Sequence, residues 1–331
     1  MKKPIAAAIT SVAHFVPERR LTNFDLEKMV ETSDEWITSR TGIKERRILE
    51  DGLGTSYMAT QAMSSLLQKR GIHARDIDLI IVATITPDMM FPATACLVQN
   101  ETGALNAWAF DLSAACSGFL YALIVGAQFI ETGAHKKIVV IGADKMSSVI
   151  DYTNRETCVL FGDGAGAVLL EPGEPGMGLQ DFLLHTDGSG VQYLRQPAGG
   201  SLHPSTRETV DQKMHFVYQE GREVFKFAVP NMAEVTAQIL ERNGLTGQDI
   251  ALFVPHQANK RIIDACVKRT DIPVDRVVIN IDRYANTSAG TIPIGLSEAL
   301  EQGRITRGDN VLLASAGAGY TWGSALLTWA Y

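Results

Sequence analysis

The sequence predicts an α/β fold: two duplicated β-α-β halves packed as one layered unit. Two observations predict it. The first is internal repetition. Gly71-Ile72 and Asp76-Ile77-Asp78-Leu79-Ile80 match Gly244-Leu245 and Asp249-Ile250-Ala251-Leu252-Phe253 at an offset of 173 residues, and Ser117-Gly118-Phe119 matches Ala289-Gly290-Thr291 at 172. A helix, a glycine turn (Gly133, Gly308), a strand and a Gly-rich hairpin follow in each half. That spacing is too long for a solenoid and marks a duplicated unit. The second is period. Short apolar runs such as I-D-L-I-I-V-A-T-I at 77–85 alternate with longer amphipathic stretches, the pattern of parallel βαβ units. The halves are expected at 1–172 and 216–331. Residues 173–215, rich in Gly, Pro, Asp and Ser, read as an inserted loop region.

The elements follow in order. Lys2 and Lys3 ahead of Ile5–Ile9 resemble a secretory leader, but Thr10, Ser11, His14 and Pro17 break the run, so a first core strand is expected. Thr22 or Asn23 caps a helix from Asp25, and Thr32-Ser33-Asp34-Glu35 starts a second that ends at Thr41-Gly42. Trp36 and Arg40, four apart, share its face; a Trp packed under an Arg stem is the plainer reading. Helices are expected over 56–70, 93–102, 222–243 and 258–270, with strands at 77–85 and 138–142. A strand pair around Val159–Glu171 carries Gly162-Asp163-Gly164-Ala165-Gly166. This formally matches a dinucleotide fingerprint, but that motif needs a helix after its glycines, and Ala167–Leu170 reads as strand.

Cys116 stands at the centre of the chain, in D-L-S-A-A-C-S-G-F-L. Apolar residues suited to a buried strand, 107–110, precede it, and a helical pattern, 119–130, follows. A thiol at such a strand-to-helix turn gains from the helix dipole, which favours thiolate, and its small neighbours admit a substrate. The plainer reading is a buried structural cysteine. His256 ends the strand at 252–255, at the carboxyl edge where α/β folds place chemistry. Its repeat equivalent is Ala83, so the architecture does not demand a histidine there. Asn286, in Y-A-N-T-S-A-G, falls near Ala114 in the repeat. Alone, each suits a cap, a core or a turn; together they put Cys, His and Asn on corresponding edges of the two halves.

Composition narrows the classes. With 331 residues, 46% of them apolar, there is material for a sizeable core. With 30 basic residues against 37 acidic the net charge is -7, which gives no support to nucleic-acid binding, and no apolar run spans a membrane. Cys96, Cys116, Cys158 and Cys266 are widely spaced without a C-x-x-C, which argues against zinc and for a reducing, cytoplasmic setting.

The motifs S-D-E-W-I-x-x-R-T-G-I, D-L-S-A-A-C-S-G-F, G-D-G-A-G-A, P-A-G-G-S, G-R-E-V-F-K-F-A-V, P-H-Q-A-N-K-R-I, N-T-S-A-G-T-I-P and Y-T-W-G-S-A occur in order along nearly the whole chain. In these the sequence resembles the β-ketoacyl-acyl-carrier-protein synthase III family. The resemblance implies the thiolase fold, layered α-β-α-β-α, and a homodimer. It implies that a short acyl-CoA primer condenses with malonyl-acyl carrier protein, releasing CO₂ and a 3-oxoacyl-acyl carrier protein. That step initiates type II fatty-acid synthesis. Coenzyme A thioester is then a substrate, with no metal and no cofactor. Cys116 matches the acyl nucleophile, and His256 and Asn286 the decarboxylation pair. Thr32, Trp36, Arg40, Arg155 and Asn259 match positions that hold coenzyme A, while Phe91 and Phe225 match positions that border the primer pocket and the pantetheine tunnel. The N–H groups of Cys116 and Ala318 suit an oxyanion hole.

A carrier protein is acidic, so docking on a chain of net charge -7 needs a local basic patch. Gln257, Ala258, Asn259, Lys260 and Arg261 follow His256, and helical spacing places Arg261, Lys268 and Arg269 on one face. One departure is noted: the family often has Phe where this chain has Ala316 and Tyr320. Among competing readings, a degradative thiolase lacks its second cysteine in Ser315–Tyr320, and an elongating condensing enzyme would have His in place of Asn286. A specialised synthase of secondary metabolism and a catalytically dead partner subunit are the alternatives retained.

Overall fold

A computed structural model describes residues 5–331; Lys2 and Lys3 lie outside the described residues. The first sheet contains β1 (Ala6–Phe15), β2 (Leu79–Ala83), β3 (Trp108–Leu112), β4 (Ile138–Lys145) and β5 (Asp163–Gly173), in the order β1-β5-β4-β2-β3. The second contains β6 (Gly178–Thr186), β7 (Leu252–Pro255), β8 (Asn310–Gly317) and β9 (Thr321–Thr328), in the order β7-β8-β9-β6. In both, the strand that precedes the chemistry pairs in parallel, and the last two strands of each half run antiparallel.

Strand alternation separates the layers. Leu79, Ile81 and Ala83 of β2 face a central core, while Ile80 and Val82 face an outer one. The central core holds α4 (Gly118–Glu131) and α7 (Thr291–Glu301) between the sheets. On the outer faces, α2 (Thr55–Arg70) and α3 (Thr94–Thr102) cover the first sheet, and α5 (Gly221–Arg242) and α6 (Lys260–Thr270) cover the second. Five layers result. The short α1 (Asp34–Thr41) is capped by the Ser33 side chain and closed by left-handed Gly42.

The duplication reaches further than the sequence match. β6 begins 172 residues after β1 and takes the same edge place in its sheet, and α5 ends 172 residues after α2. This corrects the reading of 173–215 as inserted loop. Its first part is a strand, paired with β9 from Thr186 to Gly178, hidden by the Gly and Pro residues that flank it. The glycine that answers Gly133 is Gly303, not Gly308: each turns left-handed one residue past a helix C-cap. Residues 159–171 contribute one strand, β5, rather than a pair. Its glycines serve close packing, since a Cβ on Gly166 would come within 2.7 Å of Pro293 in α7. β3 is an edge strand with Trp108 exposed, not a buried one, because it pairs with β2 alone.

Candidate active site

β3 and α4 meet at a tight 3-10 turn, Ala115–Ser117, that carries Cys116. Ala115 holds a left-handed φ of 48°, costly for a residue with a Cβ, and Ser288 holds 51°. The turns Ala115–Ser117 and Ser288–Gly290, and the helices after them, correspond at an offset of 173, one residue off the 172 of the sequence match. The β8–β9 hairpin fastens this turn. The Ser315 hydroxyl donates to the Cys116 carbonyl at 2.8 Å, and that of Thr321 to the Ala114 carbonyl at 3.0 Å. Contact is so close that a Cβ on Gly317 would lie 2.8 Å from the Cys116 nitrogen. Burial pushes the Cys116 thiol up to about 12, against the pull of Ser288 and Asn286 beside it. Burial thus opposes the dipole effect expected from the sequence, because a desolvated turn disfavours thiolate.

His256 follows β7, and its N–H donates to the Ala314 carbonyl at 2.8 Å. Its ring is buried; Nδ1 meets the Thr291 hydroxyl at 2.7 Å, and Nε2 has no protein partner. Burial lowers its pKa to about 3, so the imidazole is neutral at physiological pH. Asn286 is clamped by its neighbours: its N–H donates to the Leu160 carbonyl, and its carbonyl accepts from Gly162. The side-chain oxygen accepts the Ser288 N–H at 2.8 Å.

Cys116 lies on the wall of two cavities. One, of about 240 Å³, is also lined by His256, Asn286, Phe225, Ala316 and Tyr320. The other, of about 380 Å³, is bordered by Ile85, Met146, Phe161, Leu194 and Ala318. The first shares Gly221, Phe225 and Asn259 with an open cleft of about 480 Å³ lined by Trp36, Arg40, Arg222 and Arg261. At this mouth the Arg155 guanidinium lies 4.3 Å over the Trp36 ring, and that of Arg261 4.6 Å over Phe225. Among the described residues no group of three His, Cys, Asp or Glu side chains is placed to hold a metal.

The chain is 58% identical to β-ketoacyl-[acyl-carrier-protein] synthase III of Chlorobaculum tepidum, over 98% of this chain and 99% of that one. It belongs to the synthase III family. Family profiles agree: 3-oxoacyl-[acyl-carrier-protein] synthase III matches residues 110–188, and its C-terminal part matches 240–329. The solved synthase III of Thermus thermophilus is 45% identical, with a TM-score of 0.90 over 97% of this chain and 99% of that one. The priming β-ketosynthase of the R1128 polyketide pathway is 32% identical, with a TM-score of 0.90 over 100% of this chain and 98% of that one. The fold is thiolase-like and the protein is an acyltransferase of the condensing type.

Against this synthase frame the expected residues sort themselves. Cys116, His256 and Asn286 come together, and Trp36, Arg40, Phe225 and Asn259 line the mouth or tunnel. Arg155 reaches the mouth through Trp36, taking the place the sequence suggested for Arg40. Ala318 borders the larger cavity. Thr32 and Phe91 line none of the three; Phe91 is 84% exposed. Gln257 is buried, donating to the Pro255 and Val278 carbonyls, so no partner can touch it. The basic face of α6 is split. Arg269 is engaged by Glu234 and Glu241 of α5, and Lys260 by Asp264, whereas Arg261 turns to the mouth. Sequence reasoning missed Leu194 and Gln196, which line the larger cavity from the supposed loop region, and Ser288, which the sequence match at an offset of 172 pairs with Cys116 and the structure pairs with Ala115.

Proposed function

We propose that this chain condenses a short acyl-CoA primer with malonyl-acyl carrier protein to give a 3-oxoacyl-acyl carrier protein, the initiating step of type II fatty-acid synthesis. One observation carries the reading. Cys116 faces two cavities, and His256 and Asn286 line only the one that opens to the mouth.

In the first half-reaction the Cys116 sulfur attacks the acyl thioester carbonyl. The tetrahedral oxyanion is held by the N–H groups of Cys116 and Ala318. The carbon–sulfur bond to coenzyme A then breaks, and the departing sulfur takes up the proton that the Cys116 thiol gave up. The acyl group occupies the larger cavity. In the second, malonyl thioester enters by the same mouth. Its carboxylate leaves as CO₂, and the electron pair of the broken carbon–carbon bond passes to an enolate. Nε2–H of His256 and Nδ2–H of Asn286 hold the enolate oxygen, both neutral donors, so loss of the substrate carboxylate is not opposed by an ion pair. The enolate carbon attacks the acyl-Cys116 carbonyl and expels the thiolate, which regains a proton from solvent. Coenzyme A thioester is a substrate here, and the chemistry calls for no metal or other cofactor.

A homodimer fits the exposed edge strand β3 with Trp108, and the exposed Met90 and Phe91. Since Phe91 lies outside its own cavities, a second copy is the place where it would border a primer pocket. No helix among the described residues is long and apolar enough to cross a membrane. The four free cysteines accord with a cytoplasmic enzyme. Carrier-protein docking falls to the mouth, through Asn259, Arg261 and Lys268 beside Ala258.

The test is intact-mass analysis after incubation with a mixture of acyl-CoAs, followed by malonyl-carrier protein. One acyl adduct on Cys116, discharged with CO₂ release, is expected; no adduct would refute the reading.

A further inference from the structure

We infer that Thr291 is the positioning residue that fixes which nitrogen of His256 carries the proton. The inference rests on the reading of His256 as a donor to the enolate.

Thr291 is 2% exposed, and its hydroxyl has one proton. Two acceptors are within reach: Nδ1 of His256 at 2.7 Å, and the Ser288 carbonyl at 3.3 Å. At 3.3 Å the Ser288 carbonyl lies beyond the usual O–H···O range and already accepts the Thr291 backbone N–H. The hydroxyl therefore donates to Nδ1, which leaves the imidazole proton on Nε2. Nε2 is the buried, unpartnered atom of a ring that lines the cavity with Cys116 and Asn286, where a donor is wanted. Had the proton gone to Ser288, Nδ1 would donate and Nε2 would present a lone pair to the enolate.

The duplication offers a comparison for this pair. The residues 173 positions before His256 and Thr291 are Ala83 and Gly118, and these also face each other: a Cβ on Gly118 would lie 3.3 Å from that of Ala83. The same crossing of strand end and central helix is filled by an alanine against a glycine in one half and by a histidine and a threonine hydroxyl in the other. The fold's repeated architecture therefore does not itself call for a polar pair at this crossing.

The test compares Thr291→Val and Thr291→Ser with His256→Ala. Valine keeps the shape and removes the hydroxyl; serine restores it. Acyl transfer to Cys116 and CO₂ release from malonyl-carrier protein are followed separately. Thr291→Val is expected to lose CO₂ release ~10- to 100-fold, less than the ~10²–10³-fold expected when a donor is deleted outright. It should keep acylation within a few-fold, and Thr291→Ser should recover most of the loss. Neutron diffraction should find the His256 proton on Nε2 in the parent enzyme. Unchanged CO₂ release in Thr291→Val alongside a loss in His256→Ala, or a proton found on Nδ1, overturns this inference and leaves the function standing. Unchanged CO₂ release in His256→Ala overturns both.

Discussion

The side-chain oxygen of Asn286 accepts the backbone N–H of Ser288 at 2.8 Å, and this contact decides what Asn286 can offer. With its oxygen spent, the amide presents its NH₂ to the cavity it shares with Cys116 and His256. Asn286→Asp keeps the shape but loses the donor and adds a charge.

The two half-reactions should therefore separate. Cys116→Ala is expected to abolish the acyl adduct, while His256→Ala and Asn286→Asp still form it. Both of these should lose CO₂ release by ~10²–10³, the effect of removing one preorganised donor. Radiolabelled acyl transfer and CO₂ release, measured in parallel, decide it. An adduct on Cys96, Cys158 or Cys266 during turnover would refute the nucleophile.

Acid should destabilise the protein through His256. Its folded pKa, about 3, lies below the ordinary value of 6.5, so the unfolded chain binds the proton first. The histidine's contribution is complete above about pH 6.5 and is lost as pH falls toward 3. Between pH 7 and 5 the loss is about 2 kcal/mol. Urea unfolding at the two pH values should show a larger drop for the parent chain than for His256→Ala. Equal drops would mean that the ring is solvated.

Carrier docking should depend on the cations that α6 leaves free. Lys268 is exposed and has no carboxylate partner among the described residues, whereas Arg269 is held by Glu234 and Glu241. Lys268→Glu is expected to raise KM for malonyl-carrier protein several-fold at low salt, and adding salt should narrow the gap. Arg269→Glu should act mainly on stability, by setting three carboxylates together. Arg261→Glu should impair acyl-CoA as well, because Arg261 lines the mouth that both substrates use. Steady-state kinetics at two ionic strengths check all three; a carrier-specific defect from Arg269→Glu alone would reverse the assignment.

Much of this was legible in the sequence, and the reasons differ by residue. Thr22, Ser33 and Gly42 announced their helix ends because caps are local chemistry. Cys116, His256 and Asn286 could be grouped because a repeat turns sequence offset into spatial correspondence. β6 escaped because averaging over a Gly- and Pro-rich stretch hides nine residues of strand. The desolvation that raises the thiol's pKa was not legible, because a helix dipole is visible in a motif whereas burial belongs to the whole fold. The split face of α6 was equally out of reach: helical spacing groups Arg261, Lys268 and Arg269, and only the neighbouring α5 shows which of them is already paired.

The placement of Cys116 between a cavity that leads outward and one that does not include the mouth has a consequence for traffic. On the function proposed above, one doorway serves two guests in turn. The first must leave its acyl group behind and withdraw its long arm before the second can enter, so the two substrates are rivals for one corridor even though each needs the other's work. A surplus of the second guest would bar the first, and the rate of chain initiation would fall as the supply of malonyl thioester outran that of primer. On that reading the same geometry would make the rate respond to the ratio of the two substrates, a dependence that initial rates over a grid of both concentrations would show.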